Sequence, residues 1–464
     1  MPLIEDRATA ATACISTAAV YERRDGARDG APKRHETSWW ALSYHHATGY
    51  ATSTRLLNVV WIVWLIALVA TAAIPHTVPM VLSIVLLCLV MRAIPDDGES
   101  VCPYCVCLII PIIVFRTAMR GGAWPYFGFV FVFVIAPVLD YVIGVDQGNQ
   151  TRQTQKEVAS STKFKVLTLL VAPGVLASLV YGCWIVRDLT TAHEFVGVSL
   201  SVGLITGAIG IVAGHELCHK ATSIERMAGR FLLCAVAYGH FYIEHTMGHH
   251  KHVATDADPA TARYGESFHA FLPRVVIGEW RSAWHIERER LRKKELDWWR
   301  NEILLYYACS AAICSTLMSA FGRAALPYFL LQSFMATLQF ESVNYLEHYG
   351  LERREISPGV FEAVAPQHSW DSTARLTNAI LFKLQRHADH HAHAGKRYQV
   401  LQAYDTSPQL PGGYATMIVL ALIPPAWRAV MHPRLMEWRK AQTGQIFRHG
   451  PTPVACSDSD PKRK

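Results

Sequence analysis

Charge is scarce in this sequence. Asp, Glu, Lys and Arg make up 17% of its 464 residues, and none of them falls within 57–74, 166–186, 195–214 or 303–322. A helix crossing a bilayer core needs roughly 20 such residues, so these runs predict membrane spans rather than several soluble domains. Shorter apolar segments at 78–91, 101–115, 124–139 and 324–340 complete four pairs: 57–74 with 78–91, 101–115 with 124–139, 166–186 with 195–214, and 303–322 with 324–340. Segment 101–115 is the weakest by hydropathy, with a re-entrant or interfacial helix as its alternative. The expected fold class is all-α, a polytopic transmembrane helical bundle.

Other absences narrow the reading further. Residues 1–50 form a polar, mixed-charge arm without the apolar region of a secretory signal. Residues 440–464 read as a loose polar tail, and no internal repeat stands out. Cys102-Pro-Tyr-Cys105 has no second CxxC to complete a rubredoxin-type or zinc-ribbon site. The eleven cysteines are scattered mostly through apolar segments, which suits free thiols in a reducing environment. No flavin, nicotinamide, haem or nucleic-acid motif is visible, so redox chemistry here needs electrons from outside the chain.

Hairpin pairing places everything between the pairs on one side of the membrane, and Lys/Arg excess marks that side as cytoplasmic. Loop 146–165 carries Arg152, Lys156, Lys163 and Lys165 against Asp146 and Glu157. Segment 215–301 holds the basic run Arg288, Arg290, Arg292, Lys293 and Lys294, and the chain ends PKRK. Arg116 and Arg120 run against the pattern. On balance both termini are expected in the cytosol, and the net charge of +7 suits a face apposed to anionic lipid.

On that face lie the histidines. His215 and His219 are four apart within HELCHK, as are His245 and His249, with His250 adjacent; His387, His390 and His391 form H-x-x-H-H, and His348 lies in NYLEHYG. On helices, spacings of three and four bring side chains to one face, so each cluster can present several imidazoles to a common point. Imidazole suits iron, zinc and copper. Eight or nine imidazoles exceed what one metal holds, which predicts two. Glu216, Glu244, Glu347 and Asp389 stand beside them, and such acids commonly orient histidine ligands from behind. A zinc protease built on HELCH needs three protein ligands and an open water position, leaving most of the other histidines unexplained. A metal transporter needs polar residues inside its spans, whereas 57–74, 166–186 and 195–214 contain no acid or histidine.

These boxes resemble those of the membrane-bound non-haem di-iron alkane 1-monooxygenases, within the fatty-acid desaturase/hydroxylase superfamily. HELCHK (215–220) is similar to the first box, EHTMGHHKHVATDADPATARYGES (244–267) to the second and the run behind it, NYLEHYGL (344–351) to a motif that separates this family from ordinary desaturases, and LQRHADHHAH (384–393) to the last box. The likeness covers roughly 101–435. It implies six core helices under a cytoplasmic, histidine-rich di-iron cap. The implied iron ligands are His215, His219, His245, His249, His250, His348, His387, His390 and His391, with Glu216, Glu244, Glu347 and Asp389 as supports. Spacing leaves open how the nine divide. His240, His252, His368 and His393 stay outside the set. The arm at 1–50 and the hairpin within 51–100 are additional to the family pattern, and 436–464 is a polar C-terminal tail.

The resemblance further implies terminal hydroxylation of an apolar chain with O2 as co-substrate and rubredoxin-like delivery of electrons. Arg288, Arg290, Arg292, Lys293 and Lys294 are the candidate docking face, and Val132 and Phe133 the candidate channel wall. A fatty-acyl desaturase, an ω-hydroxylase of fatty acids and a xylene-type methyl hydroxylase remain alternatives. The membrane expected is the endoplasmic reticulum or another endomembrane in a eukaryote, and the inner membrane in a bacterium.

Overall fold

The computed structural model describes Met91, residues 100–442 and residues 446–451. The expected arm at 1–50, the hairpin at 57–91 apart from Met91, and the end of the tail lie outside them.

Where the chain lacks charge it forms helices, because apolar surroundings offer backbone groups no partner but one another. Trp124–Ile143, Thr162–Val186, Ala192–Cys218 and Glu302–Phe321 are long and apolar enough to cross a membrane, and Cys102–Ala118 is a shorter apolar helix. Segment 101–115 thus does form a helix. Val130, Val134 and Val138, four residues apart, are exposed, as are Leu330 and Phe334; such unpaired apolar faces are what lipid covers.

Three helices run past their apolar segments. The run 195–214 continues to Cys218, 124–139 to Ile143, and 324–340 to His348. Hydropathy marks the lipid boundary, whereas a helix ends where its hydrogen bonding ends. The turns added at 215–218 and 341–348 are polar and buried, and the cap supplies their partners: Lys220 for Glu216, Tyr238 for Glu341 and Tyr414 for Glu347; at 140–143 Asp140 is buried and accepts from Thr377, while Tyr141 and Val142 are exposed.

Helix Ala192–Cys218 is central and packs along Ala325–His348. Ser199, Gly203 and Gly207 form a small-xxx-small stripe of the kind that lets membrane helices approach closely. A Cβ at Gly203 would stand 2.6 Å from the Gln332 carbonyl oxygen, and one at Gly207 3.0 Å from the Ala336 Cα. Thr206 donates to Gln332 Oε1 at 2.9 Å across the same seam.

Side-chain oxygens of Thr151, Thr222, Ser267 and Asn301 cap the helices that follow them. Helix Phe268–Lys293 buries Phe271, Val275, Glu279, Ala283, Glu287 and Leu291 at four-residue intervals and turns its basic residues outward. Strands Glu355–Ser357 and Val360–Phe361 form a small antiparallel hairpin among described residues that are mostly helical. Helix Pro424–Ala441 runs through the tail boundary expected at 435. Trp427, Met431, Leu435 and Arg439 share its buried face, and Arg439 bonds the Gly350 carbonyl at 2.8 Å and Glu352 at 3.2 Å.

Candidate metal centre

The nine histidines converge in two groups. His215, His219, His245, His250 and His390 form one, and His249, His348, His387 and His391 the other. Within each, one ring nitrogen per residue lies within 4.8 Å of every other. The grouping cuts across the boxes. His245 and His249, expected to act together at helical spacing, part company because residues His245–His249 form a π-helical turn. That wider turn brings His245 Nε2 to 3.1 Å from His250 Nε2 and directs His249 to the second group. On helix His387–Ala392 the i, i+4 pair His387 and His391 serves one group while His390 serves the other. Asp371 fixes this helix, accepting from the Ala388 amide at 2.7 Å and from Ser407 at 2.9 Å.

The donor sets fit a metal. In the four-histidine group the Nε2 atoms stand 3.2 Å apart for His249–His391, 2.9 Å for His391–His387 and 3.3 Å for His387–His348. Nitrogens held about 2.1 Å from a common ion, at right or tetrahedral angles, lie roughly 3.0–3.4 Å apart. In the other group His219 Nε2 is buried without a hydrogen-bond partner, a cost of about 1–3 kcal/mol that coordination would remove. Burial pushes the His219 imidazole down to about 3 and holds His245, His250, His387, His390 and His391 well below the ordinary imidazole value. Neutral rings are the form that binds metal.

Of the acids singled out from sequence, Glu216 accepts from Lys220 at 2.9 Å and from the Tyr398 amide at 3.1 Å, bracing the 215–220 turn. Asp389 accepts from Lys396, the Gln402 amide, Tyr404 and His393 at 2.7–2.9 Å and so ties down the following loop. Glu244 Oε1 accepts from Ser282 at 3.3 Å. Glu347 is the one that adjoins a ligand candidate, with Oε2 at 3.1 Å from His387 Nε2.

Sequence reasoning passed over Asp258, nine residues beyond His249, whose Oδ2 lies 3.0 Å from His249 Nδ1. Burial alone would lower the His249 value, but Asp258 raises it on balance. The available signal was its place in the TDADPA run behind the second box. His240, His252, His368 and His393 belong to neither group; His368 bonds Glu362 at 3.1 Å and His393 bonds Asp389 at 2.9 Å.

An apolar chamber with a cavity volume of about 70 Å³ lies beside the centre. Leu204, Ala208 and Val212 wall it along the face that leads to His215, with Phe131, Val132 and Phe340 across from them. Val132 lines it; Phe133 does not, its ring lying 6.2 Å from that of Phe129. Tyr414 joins chamber to centre, lining the one and donating to Glu347 at 2.7 Å. In the basic run, Arg288, Arg292, Lys293 and Lys294 are exposed, while Arg290 is half-buried on Glu287.

Residues 189–421 match the fatty acid desaturase family model. The chain is 45% identical over 331 residues to alkane 1-monooxygenase 2 of Pseudomonas aeruginosa, covering 70% of this chain and 88% of that protein. It is 40% identical over 361 residues to alkane 1-monooxygenase 2 of Alcanivorax borkumensis, covering 74% and 92%. The xylene/toluene monooxygenase hydroxylase component of Pseudomonas putida is 28% identical over 325 residues, covering 68% and 84%. By these identities over most of both chains, the protein belongs to the alkane 1-monooxygenase family and carries its fatty acid desaturase domain.

Proposed function

We propose that this protein is an integral-membrane monooxygenase that converts the terminal methyl of an alkane, or a similar apolar chain, to a primary alcohol at two non-haem irons. The observation that carries the reading is the apolar chamber set against two buried imidazole groups. Bound iron would supply the redox chemistry that reduces O2, with two electrons and two protons, to one inserted oxygen and one water. His215, His219, His245, His250 and His390 would hold one iron, and His249, His348, His387 and His391 the other.

What the chain itself contributes follows from the chamber. An alkane offers no polar handle, so its binding rests on burial, about 0.8 kcal/mol per CH2. The hydrocarbon walls would exclude water, and a bound chain would lie along the face of Leu204, Ala208 and Val212 toward His215. A smooth wall separates neighbouring chain lengths only about 10–200-fold. Bulk at Val132 would set any sharper limit.

Electrons would come from a rubredoxin-like carrier docking on the exposed Arg288, Arg292, Lys293 and Lys294. The centre and both termini would face the cytosol, with 101–435 as the catalytic domain. The xylene/toluene relative supports a second reading, oxidation of a methyl group on an arene. Incubating the full-length protein in membranes with a donor system and alkanes, acyl chains and methyl-arenes separates these. A primary alcohol from the alkane is expected; a new double bond in the acyl chain would overturn the proposal.

A further inference from the structure

A buried tyrosine beside the centre has more acceptors than it has hydrogens. Tyr238 Oη lies 2.7 Å from Glu279 Oε2 and 2.8 Å from Glu341 Oε1, and all three side chains are buried. A phenol carries one hydrogen, so it donates to one carboxyl only. The other must itself be protonated and donate to the phenol oxygen. Asn344 donates to Glu341 Oε2 at 3.1 Å, which favours Glu341 as the ionised acceptor. Glu279 Oε1 has no partner, and burial together with Glu341 holds Glu279 well above the usual carboxylate range, which makes it the acid. Burial and the same two acids push the Tyr238 phenol up as well. The resting phenol thus keeps its proton, with an acceptor for that proton already in place.

Aromatic rings lead from this phenol in two directions. Inward, Phe241 stacks between Tyr238 and His245, its ring centroid 5.8 Å from the one and 4.7 Å from the other, and His245 belongs to the five-histidine group. Outward, the Tyr238 ring lies 4.6 Å from that of His240, and His240 Nδ1 is 3.3 Å from the Tyr307 hydroxyl. Tyr307 in turn meets the indole N–H of Trp280, which is 44% exposed. Tyrosine and tryptophan give up an electron far more readily than they accept one, so this row is ill suited to delivering electrons from a carrier. It suits the removal of an oxidising equivalent. A smooth chamber wall sorts chain lengths only loosely, so some O2 is reduced with no methyl in reach, and the oxidant then has nothing to attack.

We propose that Tyr238 is a redox relay that draws unspent oxidising equivalents from the irons and passes them outward to Trp280. In the first step the centre gains one electron from Tyr238 and the phenolic proton passes to Glu341, leaving a neutral tyrosyl radical and a carboxylic acid. An electron returning from a surface thiol through Trp280 and Tyr307, with the proton handed back by Glu341, restores the phenol. Two such passages supply two electrons. The unspent oxygen leaves as water with two protons, equal in number to those released by the two thiols, which couple to a disulfide. The inference rests on the two-iron reading above.

The test mixes full-length, iron-loaded, reduced protein with O2 in the absence of alkane and reads freeze-quenched samples by electron paramagnetic resonance. Wild type is expected to give a tyrosyl radical signal that narrows when the protein is made with ring-deuterated tyrosine and falls when an oxidisable alkane is present. Tyr238→Phe should lose the signal. Trp280→Phe, at an exposed position, should keep it and slow its decay on added thiol, and serves if Tyr238→Phe fails to fold. O2 consumed without a tyrosyl signal in wild type and Trp280→Phe alike would overturn the proposal. So would an undiminished signal in Tyr238→Phe, or a decay that Trp280→Phe leaves unchanged. Wild-type protein that binds no iron or reduces no O2 would instead sink the two-iron reading, and this one with it.

Discussion

His245 and His250 stand five residues apart and meet through their Nε2 atoms at 3.1 Å. On a regular helix, five residues turn the chain well past one revolution and the two rings would diverge. The π turn His245–His249 brings them together and turns His249 toward His348 and His391. Such turns are rare and concentrate at functional sites. Deleting the exposed Met247 would restore ordinary helical phase. Iron content is expected to fall from two per chain to one or fewer, with helical circular dichroism preserved; two retained irons would contradict the role given to the turn.

Asp258 holds His249 from behind at 3.0 Å. Replacing such a partner typically costs 10–100-fold in metal affinity. Asp258→Asn is therefore expected to lose one iron to chelator about that much more readily, measured as iron retained against chelator concentration. An unchanged titration would show that Asp258 only braces the loop through Thr261, whose hydroxyl donates to it at 2.7 Å.

Val132 lines the chamber and Phe133 does not. Val132→Phe should shorten the longest alkane oxidised by several carbons, each excluded methylene forfeiting about 0.8 kcal/mol. Phe133→Ala should leave the product profile across a chain-length series close to wild type. The reverse pattern would mean that the chamber is not the substrate site.

At Gly203 a side chain would collide with the Gln332 carbonyl oxygen. Gly203→Val is expected to destabilise the fold by roughly 1–3 kcal/mol, the usual cost of overpacking, seen as a lower thermal midpoint in detergent. Gly174, whose Cβ position has open space, is the control, and Gly174→Ala should be near neutral.

Surface charge can be read kinetically. Reversing Arg288 and Lys294 to Glu should raise the KM for an acidic electron carrier and flatten the loss of activity with salt, while kcat at saturating carrier stays unchanged. An unaltered salt dependence would move the docking site elsewhere.

The apolar runs and the histidine spacings were legible in the chain because both are local: a membrane span is a length of uncharged sequence, and turn spacing sets which side chains share a face. Where helices stop was not, since Glu216, Glu341 and Glu347 look like termini until their partners at Lys220, Tyr238 and Tyr414 are seen. Of the two candidate wall residues, Val132 lines the chamber and Phe133 does not, because one residue rotates a helix by about 100° and the π turn Phe131–Ile135 shifts the phase there. The division of nine histidines into five and four, the arrival of Asp258 behind His249 and the reach of Glu347 to His387 belong to the tertiary structure. Each depends on where separate helices meet, which residue spacing along one helix does not encode.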